Sequence, residues 1–345
     1  MGISNFDYFL LFVSSFVLVG ALTPLMRRIA IKNEVFDTPK EGHKTHKVPV
    51  PYLGGVAIII GTLVVSYGSS LVSNFTRDTF WLASSALLPA LFLGIIGLFD
   101  DLKNLPTWPR FLAQSTAGLF TALLLVSNNT VGTPTGSKFF DGLITVFWVV
   151  GICNSINFFD NLDGGASGTI AISAFALFIL AFNGNQFLIA ALSVVITGST
   201  IGFLLWNKSP ARIYMGDAGA LFLGILIASL AIRLDPQLDS TAASFATPIL
   251  LLAVPIMDTS VAVISRISRG LSPFVGGKDH LSHRLMRKGL TKPRAAFSLW
   301  GLSGFFALCA IAIPRTSENL EQIIVAVAAL VWAVLFIKFF QSKDA

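Results

Sequence analysis

Apolar residues in this chain are gathered into long runs, and polar residues are confined to the gaps between them. About eleven runs stand out, at 6–26, 53–71, 80–99, 111–126, 143–158, 169–182, 187–206, 218–232, 245–264, 296–313 and 320–340. Most approach the roughly 20 residues that a helix needs to cross the hydrocarbon core of a bilayer. The pattern predicts an all-α, polytopic transmembrane helix bundle of about eleven spans, ten being the other count it allows. Runs 169–182 and 218–232 are short for a span, so each borrows flanking residues, tilts little or is re-entrant. The longest polar stretches are 27–52 and 265–295, and residues 1–345 read as one membrane domain.

Composition agrees, since 54% hydrophobic residues, 12% charged ones and 30 phenylalanines are too apolar for a water-soluble globule. Charge then orients the bundle, because Lys and Arg accumulate in cytoplasmic loops. With the N-terminus outside and the C-terminus cytoplasmic, inside segments hold 20 of the 24 basic residues, leaving Arg77, Lys138, Arg233 and Arg315 outside. The net charge of +6 therefore calls for no nucleic-acid partner, as positive-inside bias and anionic headgroups account for it. Met1 to Asn5 carries no basic n-region, and Arg27-Arg28 stops the first run without a small-residue cleavage site, so that run reads as a retained span. Cys153 and Cys309 are too few for a disulfide framework and read as packing residues.

Chemistry concentrates in five polar segments, all assigned to one side of the membrane by this topology. The first, Asp37 to Lys47, sets Lys44 and Lys47 beside His43 and His46 and is followed by Gly54-Gly55. It reads either as a phosphate-holding loop or as plain positive-inside charge. The second places Asp100-Asp101 directly after a span, with Lys103 and Arg110 following. Adjacent carboxylates point about 100° apart on a helix, so one can meet a metal while the other orients a lysine; alternatively the pair balances Lys103 and Arg110. In the third, Asn154, Asn157 and Asn161 share one helical face with Asp160 one turn from Asn157, and Asp163-Gly164-Gly165 follows. Amides and carboxylates there can bind a nucleobase edge, ribose hydroxyls or a hydrated Mg²⁺, or cap a helix end.

The fourth segment, Arg212 to Gly219, puts Asp217 at the start of a span, where it can N-cap the helix or anchor the cation that a phosphate brings. The fifth carries Arg266, Arg269, Asp279, His280, His283 and Arg284. Its two histidines and arginine can bind pyrophosphate or assist proton movement, and no third ligand at diagnostic spacing makes a zinc site. Asp258 inside run 245–264 is an intramembrane ionisable group, functional or paired with Arg266 within the bundle.

Taken together, the Asp37-Thr-Pro loop with Gly54-Gly55, Asp100-Asp101, Asn157-Phe-Phe-Asp160-Asn-Leu-Asp163-Gly, Met215-Gly-Asp217-Ala-Gly and Asp279-His280-Leu-Ser-His283-Arg284 resemble the polyprenyl-phosphate N-acetylhexosamine-1-phosphate transferases of glycosyltransferase family 4. The histidine loop is more similar to the branch that transfers GlcNAc-1-phosphate to undecaprenyl phosphate than to the MurNAc-pentapeptide branch. The resemblance implies an integral plasma-membrane enzyme whose active site faces the cytoplasm. It would attack a UDP-N-acetylhexosamine with polyprenyl phosphate, with Mg²⁺ as cofactor (Mn²⁺ substituting) and UMP as by-product. It further implies Asp217 as metal ligand with Asn157 as a second, Asp100 and Asp101 as the catalytic acidic pair with His280 and His283, and Asn154, Asp160 and Asp163 along the nucleotide. Lys44, Lys103 and Arg284 would stabilise phosphates. Asn104 and Ser282 stand where that branch often has a third acid and a third histidine, which bears on substrate choice. A homodimer is compatible with this reading. A multi-span transporter or lipid flippase is the alternative of a different class, and a CDP-alcohol transferase lacks its multi-aspartate helix signature here.

Overall fold

A computed structural model of the chain describes residues 4–37, 49–72, 76–273 and 277–342. Lys44, with His43, His46 and Lys47, lies outside the described residues. The helices run in chain order as α1 (Asn5–Lys32), α2 (Gly54–Val72), α3 (Arg77–Lys103), α4 (Thr107–Ser127), α5 (Lys138–Phe159), α6 (Gly165–Asn183) and α7 (Phe187–Asn207). They continue as α8 (Gly216–Arg233), α9 (Thr241–Leu251), α10 (Ala253–Ser268), α11 (Leu281–Arg287), α12 (Lys292–Ala312) and α13 (Glu318–Gln341). One two-stranded antiparallel ribbon, β1 (Phe36–Asp37) against β2 (Val50–Pro51), is the only sheet among the described residues.

Every apolar run of the sequence becomes a helix or a broken helix. Among the described residues nine helices are long and apolar enough to cross a membrane, and the α9–α10 pair makes ten if it is one span. The eleventh run is α2, a shorter apolar helix over Gly54–Ser70. The two runs that looked short do borrow flanking residues: α6 reaches 19 residues and α8 reaches 18.

Run 245–264 is not one straight span, because its two helices meet at a bend of 77°. Pro255 has no N–H to return to the Leu251 carbonyl, which accepts the buried Ser173 hydroxyl at 2.6 Å instead. In a membrane interior a carbonyl freed in this way must find a donor within the protein.

Burial is graded across the bundle. Sixteen of the eighteen residues of α8 are buried, whereas α13 buries only Glu321, Ala328 and Phe339. Helix α8 is thus the axis, enclosed by α2, α3, α5 and α7, and α13 is peripheral. The N-terminus of α8 is fastened by backbone: Gly54 and Gly55 donate to the carbonyls of Tyr214 and Met215 at 3.0 and 2.9 Å, and Tyr214 donates to Pro51 at 2.9 Å. Replacing Ser173 by Ala should leave the Leu251 carbonyl without a donor. The expected cost is about 1–3 kcal/mol, read as a lowered thermal midpoint in detergent with the oligomeric profile unchanged.

Candidate active site

Helix α8 begins with amides that have no acceptor in their own helix, and no side chain at its N-terminus caps them. Asp101, from α3, supplies the acceptors: Oδ1 takes the Asp217 N–H at 2.8 Å and Oδ2 the Ala218 N–H at 3.1 Å. Asp217 is therefore not the cap of its helix; it is the residue whose backbone is capped. The approach of α3 to α8 leaves no room for a side chain at Gly97, where a Cβ would lie 2.4 Å from the Asp217 carbonyl oxygen. Gly216, at φ +67°, turns the chain into α8 in a left-handed conformation beside Asp101.

With its backbone fixed, the Asp217 carboxylate is held by two neighbours. Oδ1 accepts Asn157 Nδ2 at 2.8 Å, and Oδ2 lies 3.1 Å from Arg110 Nη1. The same Arg110 nitrogen donates to Asp100 Oδ2 at 2.6 Å, while Asp100 Oδ1 accepts the Leu105 amide at 2.6 Å. Asp100 and Asp101 thus diverge as adjacent helical positions must. The cation that Asp100 meets is Arg110, not Lys103. Lys103 is exposed and rests over the Phe99 ring, with no contact to the carboxylates among the described residues.

Arg110 and Asp217 line an open recess with Gln114, Asn154, Asn157 and Phe158. Asn154 faces this recess, but its amide donates to Gln114 Oε1 at 2.6 Å and to the Val150 carbonyl, not to an acid. Asn161 does not continue the Asn154–Asn157 stripe, because α5 ends at Phe159; its carboxamide instead meets Ser282 Oγ.

Asp160, just past α5, is half-buried, and no hydrogen bond or ion pair engages its carboxylate among the described residues. Burial, with the charges of Asp217, Asp163 and Asp37, pushes it up to about 7. Asp163 accepts from the Tyr214 hydroxyl at 3.2 Å and the Ala211 amide at 3.3 Å, with Lys292 Nζ at 3.7 Å.

The histidine segment forms a second cluster. Asp258 pairs with His280, not with Arg266: its Oδ2 meets His280 Nδ1 at 2.7 Å, and its Oδ1 accepts the Leu281 amide at 2.7 Å. Arg266 instead binds Asp279 with both ends of its fork, at 2.9 and 2.8 Å, and reaches His280 Nε2 at 3.1 Å. Arginine only donates, so Nε2 is the acceptor and Nδ1 carries the proton given to Asp258. Burial opposes charge on Asp279, but the hydrogen bonds and charge of Arg266 outweigh it and hold that carboxyl below its ordinary range. The His283 ring sits 5.9 Å from that of His280, and its buried Nε2 has no hydrogen-bond partner among the described residues. Burial lowers His283 to about 4 and keeps it neutral at pH 7. Phe158 links the two clusters, lining the recess while lying under the Arg266 guanidinium and edge-on to His280.

Arg284, expected on phosphate, is turned away from the recess. It is buried and donates to the carbonyls of Asp279, Phe339 and Ser342 and to Ser265 Oγ, tying α11 to α10 and to the end of α13. The residue that spacing alone gave no reason to choose is Asn207. Its amide oxygen accepts from Gly164 N–H and Ser167 Oγ and its nitrogen donates to Ile213, fixing the loop around Asp163.

This arrangement sets Asp100, Asn157 and Asp217 beside a recess at the polar end of a membrane bundle, with Asp101 behind them on the α8 backbone. The profile of Glycosyl transferase family 4 matches residues 83–235, a stretch that spans α3 to α8 and holds all four of them. A probable undecaprenyl-phosphate N-acetylglucosaminyl 1-phosphate transferase of Bacillus subtilis (strain 168) is 34% identical over 95% of this chain and 87% of its own length. The chain belongs to glycosyl transferase family 4. A decaprenyl-phosphate N-acetylglucosaminephosphotransferase of Mycobacterium leprae is 30% identical over 83% of this chain and 78% of its own. A phospho-N-acetylmuramoyl-pentapeptide-transferase of Halalkalibacterium halodurans is 29% identical over 87% and 94%. This family-4 chain is a multi-pass membrane enzyme of the sugar-phosphate transferase kind.

Two outcomes follow from the geometry. Asp258→Ala strips His280 and the α11 amide of their common partner at a fully buried site. A loss of about 3–5 kcal/mol is expected, whereas Asp258→Glu should recover part of it; equal midpoints for wild type and Asp258→Ala in detergent melts would contradict the pairing. The second concerns pH. The Asp160 carboxyl is raised above the usual carboxylate range to about 7 on folding, so the stability it contributes is full below the unfolded value and is lost as pH rises through about 7. Metal-free protein should melt lower at pH 8 than at pH 5, and Asp160→Asn should flatten that slope.

Proposed function

We propose that this enzyme transfers an N-acetylhexosamine 1-phosphate, GlcNAc 1-phosphate first among them, from a UDP-sugar to a polyprenyl phosphate, opening a cell-envelope glycan on the cytoplasmic face of the plasma membrane. A phosphate oxygen of the lipid attacks the sugar-linked phosphorus of the donor. The new P–O bond forms as the bond from that phosphorus to the bridging oxygen breaks, and UMP leaves with that oxygen.

The observation that carries this reading is the Asp100–Arg110–Asp217 bridge at the head of the recess. Charged groups that can receive phosphate chemistry stand beside the apolar Phe111, Phe158 and Leu221, surfaces suited to the first units of a lipid chain. Phosphoryl transfer is catalysed mainly by positioning and by neutralising oxygen charge, and a cluster of fixed carboxylates and a guanidinium serves both.

The donor set suits Mg²⁺. No group of three or more carboxylates, histidines or cysteines converges on one point among the described residues. However, Mg²⁺ takes one or two carboxylates and leaves its other positions to water and substrate phosphate. Asp217 and Asp100, with the Asn157 amide oxygen, are hard oxygen donors of that kind. Held by them, Mg²⁺ would neutralise the charge of the donor's phosphate oxygens. Asp101 acts one step back, by fixing the backbone that carries Asp217. Asp160 and Asp163 fit the nucleotide end, and Lys292 beside Asp163 adds positive charge there. The likeness to phospho-N-acetylmuramoyl-pentapeptide-transferases supports a second donor class.

Purified protein given Mg²⁺, polyprenyl phosphate and UDP-GlcNAc, UDP-GalNAc or UDP-MurNAc-pentapeptide in turn should release UMP with UDP-GlcNAc, and only when the lipid is present. Asp217→Ala should lower that release by about 10²-fold or more. No lipid-dependent UMP from any of the three donors would sink the reading.

A further inference from the structure

Arginine–aspartate contacts of opposite kind lie at the polar end of the bundle. Arg266 meets Asp279 with two nitrogens on two oxygens, and both side chains are nearly sealed, at 4% and 2% exposure. That fork-to-fork geometry is the strongest arrangement open to an arginine. Arg110 differs in every respect: one nitrogen serves two carboxylates at 2.6 and 3.1 Å, and its side chain is 30% exposed on the wall of the recess. It also belongs to the first turn of α4, so its long side chain can leave without disturbing the helix.

What remains when Arg110 leaves is already built. Asp100 is held from its other oxygen by the Leu105 amide, and Asp217 by Asn157 on its other oxygen and by Asp101 through its backbone. Neither carboxylate depends on the guanidinium for its position. Each keeps Oδ2 directed at the same nitrogen. Two carboxylates so placed repel one another unless a cation lies between them.

We propose that Arg110 is an exchangeable counter-ion, occupying the position between Asp100 and Asp217 until a divalent cation takes it, and then swinging into the recess. The inference rests on the metal-assisted reading above and adds a competition to it: the apparent affinity for the cation is reduced by the fraction of time that Arg110 sits in its place. The same fixed oxygens then serve both states, and the carboxylate pair is never left uncompensated within the membrane protein.

The test measures Mn²⁺ binding by electron paramagnetic resonance on the full-length protein in detergent, without substrates. Arg110→Gln should bind Mn²⁺ about tenfold more tightly than wild type if the position is open about a tenth of the time. Lys103→Gln removes the same charge from a neighbouring turn without touching either carboxylate, and should stay within about twofold, as expected for a solvent-screened charge. Equal or weaker binding by Arg110→Gln, with binding that Asp217→Asn abolishes, would overturn the exchange and leave the metal reading standing. Binding by Arg110→Gln alone would support it. No binding by either protein would remove the metal reading and the exchange together. A second measurement needs no variant: Mn²⁺ should raise phenylglyoxal labelling of Arg110 in wild type severalfold by peptide mass spectrometry, and an unchanged labelling would refute displacement.

Discussion

The amides of Asp217 and Ala218 open the most deeply buried helix of the bundle, and the Asp101 carboxylate accepts from both. A charge-assisted acceptor at a helix N-terminus gains further from the aligned peptide dipoles. From this contact the geometry of the site follows. It fixes α3 against α8 at the distance that Gly97 permits, and sets the Asp217 side chain where Asn157 and Arg110 can reach it. It also leaves Asp100, one residue earlier, pointing the other way toward α4. The acidic pair is therefore a division of labour between a carboxylate that builds the site and one that faces it.

The histidine cluster repeats this logic at lower cost in surface. Asp258 stands in the second half of a broken helix and serves both the ring of His280 and the first amide of α11. The 77° bend between α9 and α10 sets the direction of the helix that carries Asp258. Arg284 then ties the far side of α11 to α10 and α13. Phe158, packed between Arg266 and the recess, couples the two clusters mechanically.

Much of the architecture was legible because the bilayer imposes a length and a composition on each span, and both appear directly in the sequence. The break at Leu252 was not, since Pro248 and Pro255 interrupt hydrogen bonding without interrupting hydropathy. At the site, residue types were readable, and Arg110 was one of the two cations that spacing offered to Asp100, but the choice between them was not. Lys103 is closer in sequence to Asp100 than Arg110 is, yet a lysine one turn on from the aspartates points along its own helix, whereas the turn at 104–106 returns Arg110 to face them. Arg284 follows a histidine motif, and its partners at the Phe339 and Ser342 carbonyls lie more than fifty residues away, at the end of α13. Asp217 looked like a helix cap because it occupies a capping neighbourhood, and only the tertiary fold reveals that the cap arrives from another helix.

Both borrowed caps share an order along the chain. Asp101 precedes the helix it caps by more than a hundred residues, and Asp258 precedes α11 by about twenty. A bundle laid into the membrane from its N-terminus thus already contains the acceptor when each needy helix end is made. The first amides of α8 and α11 therefore need not wait for a later segment of the chain to satisfy them.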